Sequence, residues 1–373
     1  MLDLASDTPE RSVAIPPAHT ETFRNGIVHP TLWLWDSWVD AREDRIDLYC
    51  LALARRCADG NAIWPGDRNA FPFHVRRFRS ADGGETWLDR GCFFAPTVAG
   101  DGSFARSVWS GSAISLDHGR TLHALTGLRA LEPSRPFIQA LLLAEADDDA
   151  DAISPPTEAL LCPVRDFQQI RAAGYYLGPR ADLGTLEGEE GGPILAWRDP
   201  FLWRDEDAQL HMLWSAKASA NEACVGHAVL ERDRSGIWGA ALQPPIRLPL
   251  GEAITQAEVP KLYASSNGEG LYLLISGCNR RRETQPDHEV VKSHNLYRSE
   301  TLRGPWRPHA ASSVLAVGKP FLYGGSFLEK HIGPPAARFV APYTEHAQPD
   351  LQLTFERVQL VALDREADAS SDA

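Results

Sequence analysis

Three carboxylates in this chain stand in settings that a solvated surface acid does not occupy. Asp36 is flanked by Trp35 and Ser37-Trp38 inside an otherwise apolar run from Ile27 to Val39. An acid there is either buried at a cost of several kcal/mol or held where that cost serves chemistry. Asp199 sits in Trp197-Arg198-Asp199-Pro200, and Glu258 in Gln256-Ala257-Glu258-Val259-Pro260, just before the strand-like Lys261 to Ser265. Transfer of a glycosyl group with retention needs a carboxylate nucleophile and a carboxylic acid that protonates the leaving oxygen and then works in reverse as base. A ketosugar forms its cation at a fully substituted carbon, so a third carboxylate that stabilises the developing charge is useful. Asp36, Asp199 and Glu258 supply that set.

Acids so far apart in sequence converge only on a fold that gathers distant segments. Short apolar segments recur between Gly, Asp, Asn and Pro turns: Arg45 to Ala54, Phe71 to Arg79, Thr121 to Leu128, Phe137 to Ala144, Gln209 to Ser215, Ala223 to Leu230, Leu271 to Gly277, Arg338 to Pro342 and Leu351 to Leu363. Most have strand length, several alternate, and long helical periodicity is missing, which predicts an all-β chain. Arg298 to Ser313 and the acidic Glu145 to Asp151 read as surface connections, the latter a solvated charge run. Ser80-Ala81-Asp82-Gly83-Gly84-Glu85-Thr86-Trp87 looks like the Asp box of β-propeller blades, with a degenerate echo at Asp117 to Leu122. In a funnel-shaped propeller the innermost strands of different blades point into one cavity, which is the convergence the acids require.

Composition narrows the partners. The 373 residues carry a formal charge of -13, which repels polyphosphate and anionic lipid, so neither nucleic acid nor membrane is expected. No stretch approaches the roughly 18 apolar residues of a spanning helix. The first residues lack the pattern of a secretory signal, making cytoplasmic the default expectation, with leaderless export also possible. Six scattered cysteines form no Cys-x-x-Cys pair, and the histidines show no paired metal spacing, so neither a metal nor another cofactor is expected. A single domain is expected over 22–363, between flexible segments 1–21 and 364–373.

Leu34-Trp35-Asp36-Ser37-Trp38, Val108-Trp109-Ser110-Gly111-Ser112-Ala113, Trp197-Arg198-Asp199-Pro200 and Gln256-Ala257-Glu258-Val259-Pro260 resemble, in order, the four motifs of glycoside hydrolase family 68. That family holds levansucrases, inulosucrases and β-fructofuranosidases. The resemblance runs from about His29 to Tyr343 and implies a five-bladed β-propeller with a central funnel-shaped active site. It implies Asp36 as nucleophile, Asp199 as transition-state stabiliser and Glu258 as general acid/base. Trp35 and Trp109 become walls of the donor site, Ser110 a hydrogen-bond donor to the nucleophile or a sugar, and Arg198 a hydroxyl contact. Gln256, with Arg281 or its neighbour Arg280, takes the leaving group, and Tyr323 matches a tyrosine near the acid/base. The implied substrate is sucrose or a related β-fructofuranoside, with water or a sugar as acceptor. The chain departs from the pattern where Val39-Asp40 replaces Pro-Leu and Val259 replaces Arg, and its Asp199–Glu258 interval is short. Trimmed contacts on the acceptor side are therefore expected. A sialidase-like propeller, or a catalytically silent carbohydrate-binding one, is the alternative; the first would want an arginine cluster, and the second has no need of three acids.

Overall fold

A computed structural model describes residues 13–97, 102–185, 194–251, 254–282, 284–311, 323–342 and 354–363. Five antiparallel sheets stand around a common axis as the blades of a β-propeller. Blade 1 runs outward through Leu32–Ala41, Ile46–Ala54, His74–Ser80 and Thr86–Phe94, and blade 2 through Ser107–Ser115, Arg120–Arg129 and Ile138–Asp147. Blade 3 comprises Arg198–Arg204, Leu210–Ser219, Glu222–Arg232 and Trp238–Ile246. Blade 4 comprises Gln256–Ser265, Leu271–Cys278, Lys292–Ser299 and Arg307–Pro308, and blade 5 Ser326–Phe327, Ala336–Val340 and Gln359–Ala362. The first strands of blades 1 to 4 lie against one another in turn, and that of blade 5 lies against that of blade 1, so these five line the axis. Gly26–Ile27 pairs antiparallel with Phe355–Glu356, joining the two ends of the described chain.

The Asp82 turn behaves as its sequence predicts. The Asp82 carboxylate accepts from the Thr86 backbone N at 2.9 Å and its hydroxyl at 2.6 Å, while the Gly84 N donates to Ser80 Oγ at 2.8 Å. Gly83 and Gly84 take φ of 77° and 97°, which side chains resist. Trp87 is buried beneath them with Ile27, Phe78 and Leu328. A similar device, not read from the sequence, closes the outer hairpin of blade 3, where Asp233 Oδ1 accepts from the backbone N of Ser235 and of Ile237, each at 2.9 Å.

Two expected surface connections are corrected. Glu145 to Asp147 completes a strand of blade 2, and Asp148 accepts from Thr121 Oγ1 at 2.7 Å and pairs with Arg42, bridging blades 1 and 2. In the other, Arg307–Pro308 is a strand paired with Tyr297 and Arg298, and Trp306 is buried; Ser312 and Ser313 lie outside the described residues. Of the N-terminal segment, residues 1–12 lie outside the description, and the remainder is tied down: Arg76 donates to the Pro16 and Pro17 carbonyls at 2.7 and 2.6 Å, and the His19 N donates to Asp89. The C-terminal 364–373 lie outside the described residues.

Aromatic packing sets the position of blade 3 at the axis. Trp197, immediately before Arg198, meets Trp214 edge-on at 5.0 Å between ring centroids, and Tyr175 meets Trp197 at 5.5 Å. Gly226 stands opposite Trp214 in the ladder, with the indole occupying the space a Cβ would need. Overpacking a core position costs about 1–3 kcal/mol. Gly226→Ala should therefore lower stability by about that amount, read as a shifted urea midpoint at unchanged slope.

Candidate active site

Each of the four motifs falls on the first strand of a blade, and each coincides with a break in ladder register. The breaks lie between Leu34 and Ser37, Trp109 and Gly111, Arg198 and Phe201, and Glu258 and Lys261. A bulge bends the strand and re-aims the side chains beside it. Asp199 at φ 61° and Val259 at φ 49° lie in the left-handed region that non-glycine residues seldom enter, so the backbone is strained where the acids sit.

The result is a pocket lined by Trp35, Asp36, Trp109, Arg198, Asp199 and Glu258, with Tyr323 and Arg280 closing one side. Ser110 Oγ donates to Asp36 Oδ2 at 2.7 Å. Arg198, 4% exposed, donates through Nη2 to Glu258 Oε1 at 2.5 Å and to Gln256 Oε1 at 2.8 Å, and through Nη1 to the Leu195 carbonyl at 2.8 Å. Its Nε lies 3.8 Å from Asp199 Oδ2, and its guanidinium stands 5.9 Å from the Trp109 ring centre. The Tyr323 hydroxyl donates to Glu258 Oε2. Asp199 accepts from the Val259 N at 3.1 Å, and its own N donates to Thr126 Oγ1 at 2.7 Å. Blades 3 and 4 are thus joined through the acids themselves.

Burial is the largest influence on all three carboxyls and pushes each towards its neutral form. At Asp36 it prevails over the Ser110 hydrogen bond, and the nearby Glu258 charge adds to it, so the carboxyl is raised above the ordinary range. Asp199 is pushed up to about 7, because burial and the charges of Glu258 and Asp36 outweigh Arg198. At Glu258 burial is overcome by Arg198 and the Tyr323 hydrogen bond, which hold the carboxyl down at about 2. An acid/base and a nucleophile are expected to be pushed apart with the acid higher. Here the order is the reverse, because the Arg198 guanidinium sits on Glu258 and the charge of Arg280 adds to it.

The sequence-named residues separate into three groups. Asp36, Asp199, Glu258, Trp35, Trp109, Arg198 and Tyr323 line the pocket, and Ser110 touches it through Asp36. Gln256 does not line it; fully buried, it accepts from Arg198 and donates to the Arg280 carbonyl at 3.3 Å. Arg281 is corrected: it is exposed, its N donates to Gln285 Oε1 at 2.9 Å, and Arg280 takes the place in the lining. Residues that sequence reasoning missed are Leu51 from the second strand of blade 1, Arg68, Asn69 and Phe73 from the connection that follows it, and Lys292 from blade 4. The only signal was that Arg68-Asn69 follows Trp64-Pro65-Gly66, a turn sequence among apolar strands.

No family model matches the sequence, and no curated protein matches it. Solved structures do. A Bacillus subtilis levansucrase variant in complex with oligosaccharides superposes with a TM-score of 0.59 at 12% identity, covering 96% of this chain and 90% of that one. A B. megaterium levansucrase variant gives 0.59 at 14%, covering 90% and 83%, and a levansucrase variant complexed with sucrose gives 0.56 at 13%, covering 90% and 85%. This chain has the five-bladed propeller fold of levansucrases. At such identities the likeness concerns the fold.

The raised Asp199 carboxyl has a stability consequence with a definite sign. Its folded value of about 7 lies above its ordinary value of 3.8, so between these the unfolded chain has released a proton that the fold retains. The associated stability is present below about pH 4 and lost as pH rises towards 7. Asp199→Asn removes this slope: its stability advantage over the parent should grow from about pH 4 to pH 7 and then level off. Denaturant titrations over pH 4 to 8 check this, and a constant difference would contradict the burial of an acid at that position.

Proposed function

We propose that the protein is a retaining glycoside hydrolase and fructosyltransferase that cleaves sucrose, or a related β-fructofuranoside, through a fructosyl–Asp36 ester. The observation that carries this reading is the convergence of Asp36, Asp199 and Glu258 from three blades on one pocket walled by Trp35 and Trp109. In the proposed first step a carboxylate oxygen of Asp36 attacks the anomeric carbon of the fructosyl unit, with Ser110 fixing the carboxylate orientation. The bond to the glucosyl oxygen breaks, and that oxygen takes the proton of Glu258. Asp199 lies beside the carbon where positive charge develops. In the second step Glu258 takes a proton from water or a sugar hydroxyl, which attacks the ester and releases Asp36.

To donate a proton, Glu258 must first hold one. Arg198 and Tyr323 hold it in the ionised form. A sugar whose hydroxyls draw the guanidinium away leaves Glu258 buried without its counter-charge, and burial then favours the protonated form. On this reading donor binding creates the acid.

A panel of sucrose, a sialoside and buffer separates this reading from its rivals, since it alone predicts free glucose from sucrose. Glu258→Gln should retain donor binding and lose turnover by at least about a hundredfold, the lower end for general acid catalysis. Full turnover in that variant would remove Glu258 from the mechanism. Partition between water and sugar depends on how well the acceptor side holds a second sugar. With Val259 where the resemblance expects Arg, and Gln256 buried behind Arg198 instead of facing the pocket, two expected contacts on that side are missing. Hydrolysis and short oligosaccharides should therefore dominate at moderate sucrose, read as nearly equal release of glucose and fructose in dilute sucrose and a modest glucose excess that grows as sucrose is raised. A large glucose excess in dilute sucrose would contradict a sparse acceptor side.

A further inference from the structure

Beneath the three acids lies a buried cation that the proposed reaction does not use. Lys261 is 2% exposed, on the same first strand of blade 4 as Glu258. In an uninterrupted strand, residues three apart point to opposite faces. The register break between Glu258 and Lys261 cancels that alternation, so both serve the axis: Glu258 lines the pocket, and Lys261 lines a separate cavity of about 960 Å³.

The Lys261 ammonium donates to the Gly325 carbonyl at 2.5 Å and lies 3.4 Å from that of Gly324. The turn it holds does two things at once. Tyr323 places its hydroxyl on Glu258, and Gly324 packs directly on Asp36, at φ 62° and with no room for a Cβ. The Gly324 carbonyl also accepts from the Ser37 N at 3.0 Å, and the Gly324 N donates to Ser276 Oγ at 3.0 Å. One ammonium therefore ties the segment that contacts both the expected nucleophile and the expected acid/base.

The charges around it are arranged to make that ammonium matter. Asp36 and Asp199 are the acids whose fields act on it, and they favour its charged form against burial. Asp36 is in turn faced by Ser110, Glu258, Lys261 and Lys292, and Asp199 by Arg198, Glu258, Asp36 and the Val259 N. On its other side the cavity is lined by charged groups that include Arg204, Asp205, Glu206, Glu300, Glu329 and Lys330.

We propose that Lys261 is a positioning residue for the cleavage reaction: it clamps the Tyr323-Gly324-Gly325 turn against Asp36, and its charge sustains ionisation of Asp36 beneath the donor sugar. This rests on Asp36 being the nucleophile. Burial draws Lys261 down to about 7, so on the acid side of neutrality it carries its charge.

Lys261→Gln keeps a hydrogen-bond donor and removes the charge, whereas Lys261→Arg keeps the charge. A nearby opposite charge favours the ionised form of a carboxyl, and Lys261 is one of the two cations whose charges act on Asp36 in this way. Lys261→Gln should therefore move the acid limb of the kcat profile on sucrose upward by about one pH unit, with kcat at pH 5 down about tenfold and KM changed less than about twofold. Lys261→Arg should restore the limb. The same upward movement should appear without substrate in the carbon-13 titration of the Asp36 carboxyl. A folded Lys261→Gln protein whose limb and carboxyl titration both stay in place overturns the proposal, as does Lys261→Arg behaving like Gln. Should the parent release no glucose from sucrose, the reading of function fails, while the carboxyl titration still decides whether Lys261 sustains Asp36. A reciprocal measurement covers a Lys261→Gln chain that does not fold. Asp36→Asn should lower the nitrogen-15 titration midpoint of the Lys261 ammonium, and an unmoved midpoint overturns the proposal.

Discussion

The centre of this molecule is organised by one guanidinium. Arg198 is buried among three acids contributed by three blades, and it is the partner that allows Glu258 to carry charge out of water. A buried ion is tolerated only when it is paired and its donors are occupied. Arg198 meets that demand with Glu258, Gln256, Gln139 and the Leu195 carbonyl. The consequence is an uneven division of charge. Glu258 takes most of the benefit of the cation, and at Asp36 and Asp199 burial prevails and raises both. As placed, Arg198 favours the charged form of Glu258 over the charged forms of Asp36 and Asp199.

The backbone that delivers these groups is irregular in the same way four times over. A regular strand alternates its side chains between two faces, and a propeller's first strand has only one edge on the axis. At each motif the chain breaks register, and at Asp199 and Val259 it passes through left-handed conformations. Strain of this kind costs of order 1–3 kcal/mol per residue and persists only where the surroundings impose it. Here those surroundings are the Trp197–Trp214–Tyr175 packing behind blade 3, and the Val259 N and Thr126 hydroxyl that hold Asp199 on either side.

What was legible in the sequence follows from where burial is uniform. Ile46–Ala54 and Leu271–Cys278 are buried along their whole length and read plainly as strands. Trp238–Ile246 lies at the outside of its blade, half exposed and interrupted by Pro244 and Pro245, and Arg198–Arg204 carries Pro200 and charged residues to the axis, so neither shows a strand pattern. The three acids stood out because charge among tryptophans is costly. Choosing between Arg280 and Arg281 required knowing which way the chain turns after Cys278, and adjacent residues give no such parity outside a strand. Lys261 was read only as the start of a strand-like segment, since the bulge that turns it to the axis depends on the φ of Val259. The order of the carboxyl affinities was likewise out of reach, because it is set by the Arg198 distances and not by residue types.

The central claim, that Asp36 is the nucleophile of a retaining reaction, is tested most directly by trapping the intermediate. Glu258→Gln protein would be incubated with a fructosyl donor bearing a good leaving group, which needs no acid for the first step. It would then be quenched, digested and examined by mass spectrometry. The account predicts that one fructosyl unit is gained by the peptide spanning Leu32–Ala41, with fragmentation placing it on Asp36, and that the gain is absent in Asp36→Ala. A fructosyl unit on another peptide, or donor turnover by Asp36→Ala at the parent rate, would contradict it.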